Sequence, residues 1–170
     1  ESSVDEANVE LRELIAHFRA PFSRHGLIPG IRRLLSRLRK ETGTDTVLQN
    51  QANDAELTEE EEAQILRIVQ ESLTNVRKHS RANRVRVLLS YDNIGRLRLI
   101  VEDDGVGMAI APDDQDSDGH FGLAIMQERA GTVGAELTIE SEPGDGTRVV
   151  IELGSADEAA GRKPLGERTE

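Results

Sequence analysis

The sequence predicts an α/β domain, because stretches with a helical repeat are interspersed with stretches that alternate residue by residue. Residues 26–43 and 58–80 carry apolar side chains at helical spacing. RVRVLLS and RLRLIVE around the turn YDNIG, and ELTIESE and TRVVIEL around the turn PGDG, read as two β-hairpins. A chain of 170 residues that is 36% hydrophobic suffices for one domain with a proper core, and two would be a stretch.

The elements follow in order. VDEANVELRELIAHFRAPF places Val4, Leu11, Leu14, Ile15 and Phe18 at mostly helical spacings up to Pro21, and reads as the end of a helix that begins earlier. In GLIPGIRRLLSRLRKETG, Ile31, Leu34, Leu35 and Leu38 oppose Arg32, Arg33, Arg37, Arg39 and Lys40, giving an amphipathic helix closed by Gly43. Such a helix can lie on a membrane or bind a partner, but its stripe is narrow and lacks Trp or Phe, which favours a core-facing helix with a solvated basic face. TDTVLQNQ is a modest strand. Thr58 with Glu61 forms a capping box, and the acidic run Glu59–Glu62 complements the dipole of a helix that runs to about Ser80. The first hairpin leads into DDGVG, and Met108–Gly119 is an acidic, aperiodic loop, expected to be mobile. FGLAIMQERAGTVGA reads as a helix up to Gly131 or Gly134, the second hairpin follows, and from Gly154 the tail has no pattern and is expected to be disordered.

Composition removes several functions. Lys plus Arg number 21 against 32 Asp plus Glu, a net charge of −11 that repels a phosphate backbone, and 2% aromatic residues leave little to stack on bases. With no cysteine there is neither a disulfide framework nor a thiolate metal site, which fits a reducing compartment. No apolar run approaches a membrane span, no signal-peptide pattern opens the chain, and the start without Met suggests a piece of a longer protein. The segment is expected to be soluble.

Four stretches are candidate sites. In ESLTNVRKHS, Glu71, Asn75 and Lys78 cluster on a helix face nearly opposite Ile65, Leu66, Val69, Leu73 and Val76. Any surface helix shows such a division, but Asn75 is a poor choice for a merely solvated interior position. In DDGVG, Gly105 and Gly107 directly after a strand let the backbone turn and a flat ligand approach, and Asp103 can accept from an exocyclic amine; ordinary turn chemistry explains the same residues. In GHFGLAIMQERA, Gly119 and Gly122 precede a helix start whose free amides form a phosphate seat, with His120 read as a lid or packing residue. GDGT, residues 144–147, is a hairpin turn in its own right. There is no GxxxxGK[ST] loop, HExxH or GxSxG, and no pair among His17, His25, His79 and His120 has metal-ligand spacing.

Each signal is weak, but their order is specific. The series resembles the ATP-binding domain of sensor histidine kinases, in the superfamily shared with gyrase, heat-shock protein 90 and MutL: ESLTNVRKHS is similar to the N box, DDGVG to the first glycine box, GHFGLAIMQERA to the second and GDGT to the last. LRELIAHFRAPF, NVRKHS and HFGLAIMQERA resemble the nitrate/nitrite sensor group, with its short lid. The resemblance, over about residues 10–153, implies the Bergerat-type fold, a two-layer sandwich of a mixed, largely antiparallel sheet with helices on one face. It divides the chain into residues 1–20, the end of the dimerisation and phosphoacceptor helices, residues 21–153, the catalytic domain, and the tail 154–170.

Carried over by position, the resemblance makes Asn75 a ligand of Mg²⁺ bridging the phosphates of ATP, with Lys78 and His79 neutralising phosphate charge. Asp103 would bind the adenine amine, Gly105 and Gly107 would admit the base, Gly119, Gly122 and Leu123 would contribute to the phosphate seat, with backbone amides presented by the last two, and Thr147 would lie near Asp103. Glu71, the candidate catalytic residue, is placed as the water-activating glutamate is in gyrase-like ATPases; for a kinase the resemblance implies a place behind Mg²⁺ and not the role of a general base. Phe121, where the longer pattern has glycine, leaves the number of phosphate-contacting amides open. The implied reaction transfers the γ-phosphoryl group to a histidine upstream of residue 1, for relay to a response regulator. The implied setting is the cytoplasmic part of a homodimer anchored in the inner membrane, with no direct membrane or nucleic-acid contact by this segment. The alternatives are a nucleotide-binding regulatory module without transfer activity and a gyrase-like hydrolase using Glu71.

Overall fold

The computed structural model describes residues 26–53, 55–107 and 118–154, without the side chains of 118–121. The helix expected within residues 4–22, most of the acidic loop, the tail and the side chain of His120 lie outside the described residues.

Helix α1 (Leu27–Thr42) ends at Gly43, whose left-handed φ of 77° lets its N–H reach the Arg39 carbonyl. Strand β1 (Asp45–Asn50) follows, then α2 (Glu59–Asn75). The capping box is present: the Thr58 hydroxyl accepts from the Glu61 N–H at 3.2 Å, and the Glu61 carboxylate accepts from the Thr58 N–H at 2.7 Å. The acidic run has a second use, because Glu62 accepts from the N–H of Leu27 at 3.3 Å and so caps α1 as well.

The helix expected to reach Ser80 does so, but its last turn, Val76–Ser80, is a π turn closed by Arg81 with a left-handed φ of 52°. Strands β2 (Arg84–Tyr91) and β3 (Leu97–Asp103) form the first hairpin. The Asp92 carboxylate accepts from the N–H groups of Ile94 and Arg96 in its turn. Helix α3 (Asp118–Thr132), β4 (Ala135–Ser141) and β5 (Thr147–Leu153) complete the order.

The sheet runs β1-β2-β3-β5-β4. β1 is parallel to β2 and the other pairs are antiparallel, which is the mixed, largely antiparallel sheet the resemblance implied. Strand alternation gives it two unlike faces. Val85, Val87, Leu89, Leu97, Leu99, Val101, Val149, Ile151 and Leu153 point to the helices and share one core with Ile31 and Leu35 of α1, Ile65, Ile68 and Val69 of α2, and Met126 of α3. On the other face Arg86, Glu102, Arg148 and Glu140 stand in one row of alternating charge, linked at 2.6, 3.5 and 3.8 Å. All three helices therefore cover one face.

Ile68 has no exposed surface and sits at the centre of that core. Ile68→Ala should lower unfolding stability by about 3 kcal/mol, read as a lower urea midpoint at unchanged m.

Candidate functional site

A groove opens at the edge of the core where the end of α2 faces the ends of β3 and β5. Ser72, Asn75, Val76, His79 and Ser80 form one wall, Val101, Asp103, Thr147 and Val149 the floor, and Leu123 and Met126 of α3 the far side. Asn75, His79, Asp103, Gly107, Leu123 and Thr147, all marked in the sequence, come together here.

Asp103 is the last residue of β3 and pairs with Thr147, the first of β5. One carboxylate oxygen accepts from the Gly105 N–H at 2.8 Å. Burial pushes this carboxylate above the usual range, Gly105 pulls it back, Asp104 adds like-charge repulsion, and hydrogen bonds from Ser80 and the Thr147 N–H oppose the rise. Asp104 serves the fold instead. Its carboxylate accepts from the N–H groups of Asn83 and Arg84, both at 2.8 Å, and so fastens the start of β2 to the end of β3.

The glycines decide how closely the backbones approach. A Cβ on Gly105 would stand 2.2 Å from the Ser80 carbonyl oxygen and 2.6 Å from the Asp103 carboxylate. Gly105 is thus required by the end of the helix, and it is not among the groove-lining residues. Gly107 does line the groove, yet its φ of +63° and a Cβ position 1.9 Å from the Glu142 carbonyl make its first constraint the turn before β5. Gly146 has φ +76° and would place a Cβ 2.0 Å from the Asp103 carbonyl. The two loops are also joined by the Gly144 N–H donating to the Val106 carbonyl at 2.7 Å.

The second glycine stretch is shifted relative to the sequence reading. α3 begins at Asp118, so Gly119 lies in its first turn and Gly122 one turn inside. In an α-helix the N–H of residue 122 is committed to the carbonyl of 118, and that of 123 to 119. The free amides belong to the first turn, which corrects the expectation that Gly122 and Leu123 present theirs. Gly122 instead gives room to Glu71, whose carboxylate oxygen would be 2.6 Å from a Cβ there, and Leu123 contributes its side chain to the groove. Lys78 is exposed and, like Glu71, is not among the lining residues.

The sequence reading missed Ser72, Val76, Ser80, Met126 and the strand residues Val101, Ile139 and Val149. The strand residues were available from alternation: Val101 and Val149 each lie two positions from a marked residue on the same face. Ser72 and Ser80 gave no comparable signal.

Comparison with known proteins assigns the class. Residues 60–157 match the family described as histidine kinase-, DNA gyrase B-, and HSP90-like ATPase. The chain belongs to that family. Within it the likeness is to sensor histidine kinases: 31% identity over 153 residues, 90% of this chain, with a sensor protein NarQ homolog of Haemophilus influenzae, of which 26% is covered. Identity is 29% over 155 residues with the nitrate/nitrite sensor protein NarQ of Escherichia coli (91% of this chain, 27% of that protein). It is 34% over 154 residues with the sensor histidine kinase LiaS of Bacillus subtilis (90% and 41%). The chain thus spans about a quarter to two fifths of the curated relatives it matches. Among solved structures, the histidine kinase domain of a blue-light activated kinase from Erythrobacter litoralis aligns with TM-score 0.61 and 26% identity, over 76% of this chain and 61% of that one. The fold is the Bergerat-type sandwich, and the segment is an ATP-binding domain of the sensor-histidine-kinase type. Among the described residues no helix is long and apolar enough to cross a membrane.

Two outcomes follow from the geometry. Gly146→Ala should cost more than about 1 kcal/mol of stability, because φ is positive and the backbone cannot retreat; a lower melting temperature checks it. Asp103 has a folded-state pKa above its ordinary 3.8, so the folded chain holds its proton more tightly than the unfolded chain, and stability falls as pH rises from that value through the folded one. At neutral pH the ionised group is therefore a net cost. Asp103→Asn should melt a few degrees higher than the parent at pH 7.5, roughly the effect of relieving one unfavourable charge. The difference should vanish in acid below the ordinary carboxylate range.

Proposed function

We propose that the groove binds ATP with the adenine amine at Asp103 and the phosphates toward Asn75 and the first turn of α3, and that the bound nucleotide phosphorylates a histidine lying outside this chain. The observation that carries this reading is Asp103: a half-buried carboxylate on the floor of the groove, between the apolar side chains of Val101 and Val149 and with Thr147 beside it, is the group there that can accept from an exocyclic amine. Val101, Val149, Ile139 and Met126 supply flat apolar walls for a purine.

Asn75, half-buried on the groove wall, offers one neutral amide oxygen, a donor that suits Mg²⁺ when phosphate oxygens and water complete the shell. The bound cation would neutralise phosphate charge. His79, exposed at the rim, and Lys78 beyond it add positive or neutral polar surface near the same end. The domain's part in the reaction is then positioning and charge neutralisation, which is what phosphoryl transfer chiefly requires. Glu71, turned against Gly122, is read as a residue that supports α3 near the phosphates and not as an activator of water. The full-length protein on this reading is a cytoplasm-facing, homodimeric sensor kinase whose acceptor helix passes the phosphoryl group to a response regulator.

Incubating the full-length protein with γ-labelled ATP tests the activity: acid-labile, alkali-stable label on a histidine is expected, whereas free phosphate without labelled protein would establish the hydrolase. Asp103→Asn should weaken ATP binding to this chain roughly 10- to 100-fold, the span of a lost charge-assisted hydrogen bond. Asn75→Asp should abolish the normal Mg²⁺ dependence of binding; calorimetric titration of ATP with and without Mg²⁺ reads both.

A further inference from the structure

Gly122 is buried one turn inside α3, and the space beside it is taken by a carboxylate from the facing helix α2. A Cβ there would stand 2.6 Å from Glu71 Oε1, 3.5 Å from its Cδ and 3.8 Å from its Cγ, so the end of the Glu71 side chain lies against bare backbone. One turn further along α3, Met126 Sδ lies 3.6 Å from Ser72 Oγ, and the same pairing of the two helices continues there. In an α-helix the Cα–Cβ bond leans toward the N-terminus. The Glu71 carboxylate at this position therefore faces the first turn of α3, where the free amides and the positive end of the helix dipole are.

Asn75 follows Glu71 by one turn on α2, and Leu123, next to Gly122, lines the groove. A phosphate chain reaching from Asn75 to the first turn of α3 thus comes up beside a seated carboxylate. The arginines of the same helix contact lie further from Asn75: Arg67 is a turn behind Glu71, and Arg129, about two turns along α3 from Gly122, donates to Gln64 at 3.3 Å. Between Arg67 and Asn75, Glu71 is the one charged residue of α2.

We propose that Glu71 is a specificity-determining residue that favours the Mg²⁺-bound triphosphate over the metal-free one. A metal-free triphosphate sets its full charge against the Glu71 carboxylate and competes with it for the positive end of α3, whereas a metal-bound one arrives largely neutralised. The inference rests on the nucleotide reading above, and it gives Glu71 a role distinct from supporting α3 and from activating water.

The measurement is the dissociation constant of this chain for ATP with Mg²⁺, for ATP in EDTA and for adenosine, each at low and at high salt. Glu71→Gln should tighten metal-free ATP about three- to tenfold at low salt, the span of one partly solvated charge contact, and by less at high salt. Mg²⁺-bound ATP and adenosine should stay within about twofold of the parent. Glu71→Asp keeps the charge and draws it back from Gly122; it should change metal-free binding less than Glu71→Gln does, and it guards against a misfolded glutamine variant. Equal weakening of both forms of ATP would show a residue that only supports α3, weakening of the Mg²⁺-bound form alone one that acts through the metal, and unchanged metal-free binding an inert carboxylate; each overturns the proposal. An equal gain in Glu71→Asp overturns it too, since the charge is then not the cause. These failures leave the nucleotide reading standing, whereas a parent chain that binds ATP in neither form overturns that reading and the role of Glu71 with it.

Discussion

Three segments of backbone meet around Asp103 at distances that no side chain permits. Gly105 lies against the carbonyl that ends the π turn, Gly146 against the carbonyl of Asp103 itself, and Gly107 against the carbonyl of Glu142. A Cβ at any of the three would overlap a backbone oxygen. Because the contacts involve main chain on both sides, neither partner can yield by changing a rotamer. The end of α2, the end of β3 and the turn before β5 are therefore one rigid junction, and the groove is the space that this junction leaves beside the core.

The unlike faces of the sheet explain why the groove lies on one side. On the outer face, rows of alternating Arg and Glu pair across β2, β3, β5 and β4, while Ile100 and Val150 between those rows are buried. Most of its charge is paired within the face, although the buried Arg98 Nε, 3.5 Å from the Glu152 carboxylate, has no hydrogen-bond partner among the described residues. The inner face is apolar and must be covered, and three helices cover it except where β3 and β5 begin to change from valine to Asp103 and Thr147. At this edge the apolar floor runs out into polar groups while helix α2 still stands above it. A flat molecule with an apolar body and a donor at its rim fits such a boundary better than it fits either the core or the open face.

Helices, hairpins and the capping box were legible because each depends on residues near in sequence: period, turn chemistry, and the Thr58–Glu61 pair. That Asn75, Asp103 and Thr147 share one groove was legible for another reason, the order of four short stretches. What could not be read depends on contacts distant along the chain. Glu62 caps α1 across 35 residues. Gly105 looks like a loop glycine until Ser80 is placed against it. The shift of α3 to start at Asp118 turned Gly122 from an amide donor into a contact for Glu71, because a helix start moved by one turn reassigns every free N–H. The groove wall itself keeps ordinary helical spacing: Ser72, Asn75, Val76 and His79 lie three or four residues apart and share one side of the helix end, a side that the division into an apolar face and a polar stripe had split.

The electrostatics of the junction bear on selectivity. Asp103 is desolvated, has a second carboxylate in Asp104 next to it, and is offset only in part by Gly105, Ser80 and Thr147. Such a carboxylate gains most from a neutral N–H donor, which relieves desolvation without requiring a counter-charge to be buried. On the proposed reading, the exocyclic amine of adenine supplies that donor. A purine with a carbonyl at the same position would set two acceptors face to face and exclude the water that could separate them, an arrangement in which a buried acceptor is left unsatisfied. On the proposed reading, discrimination between adenine and guanine nucleotides therefore comes mainly from the cost imposed on the wrong base, and the rigidity of the three-glycine junction preserves it, since a floor that could retreat would admit a water and lose the distinction.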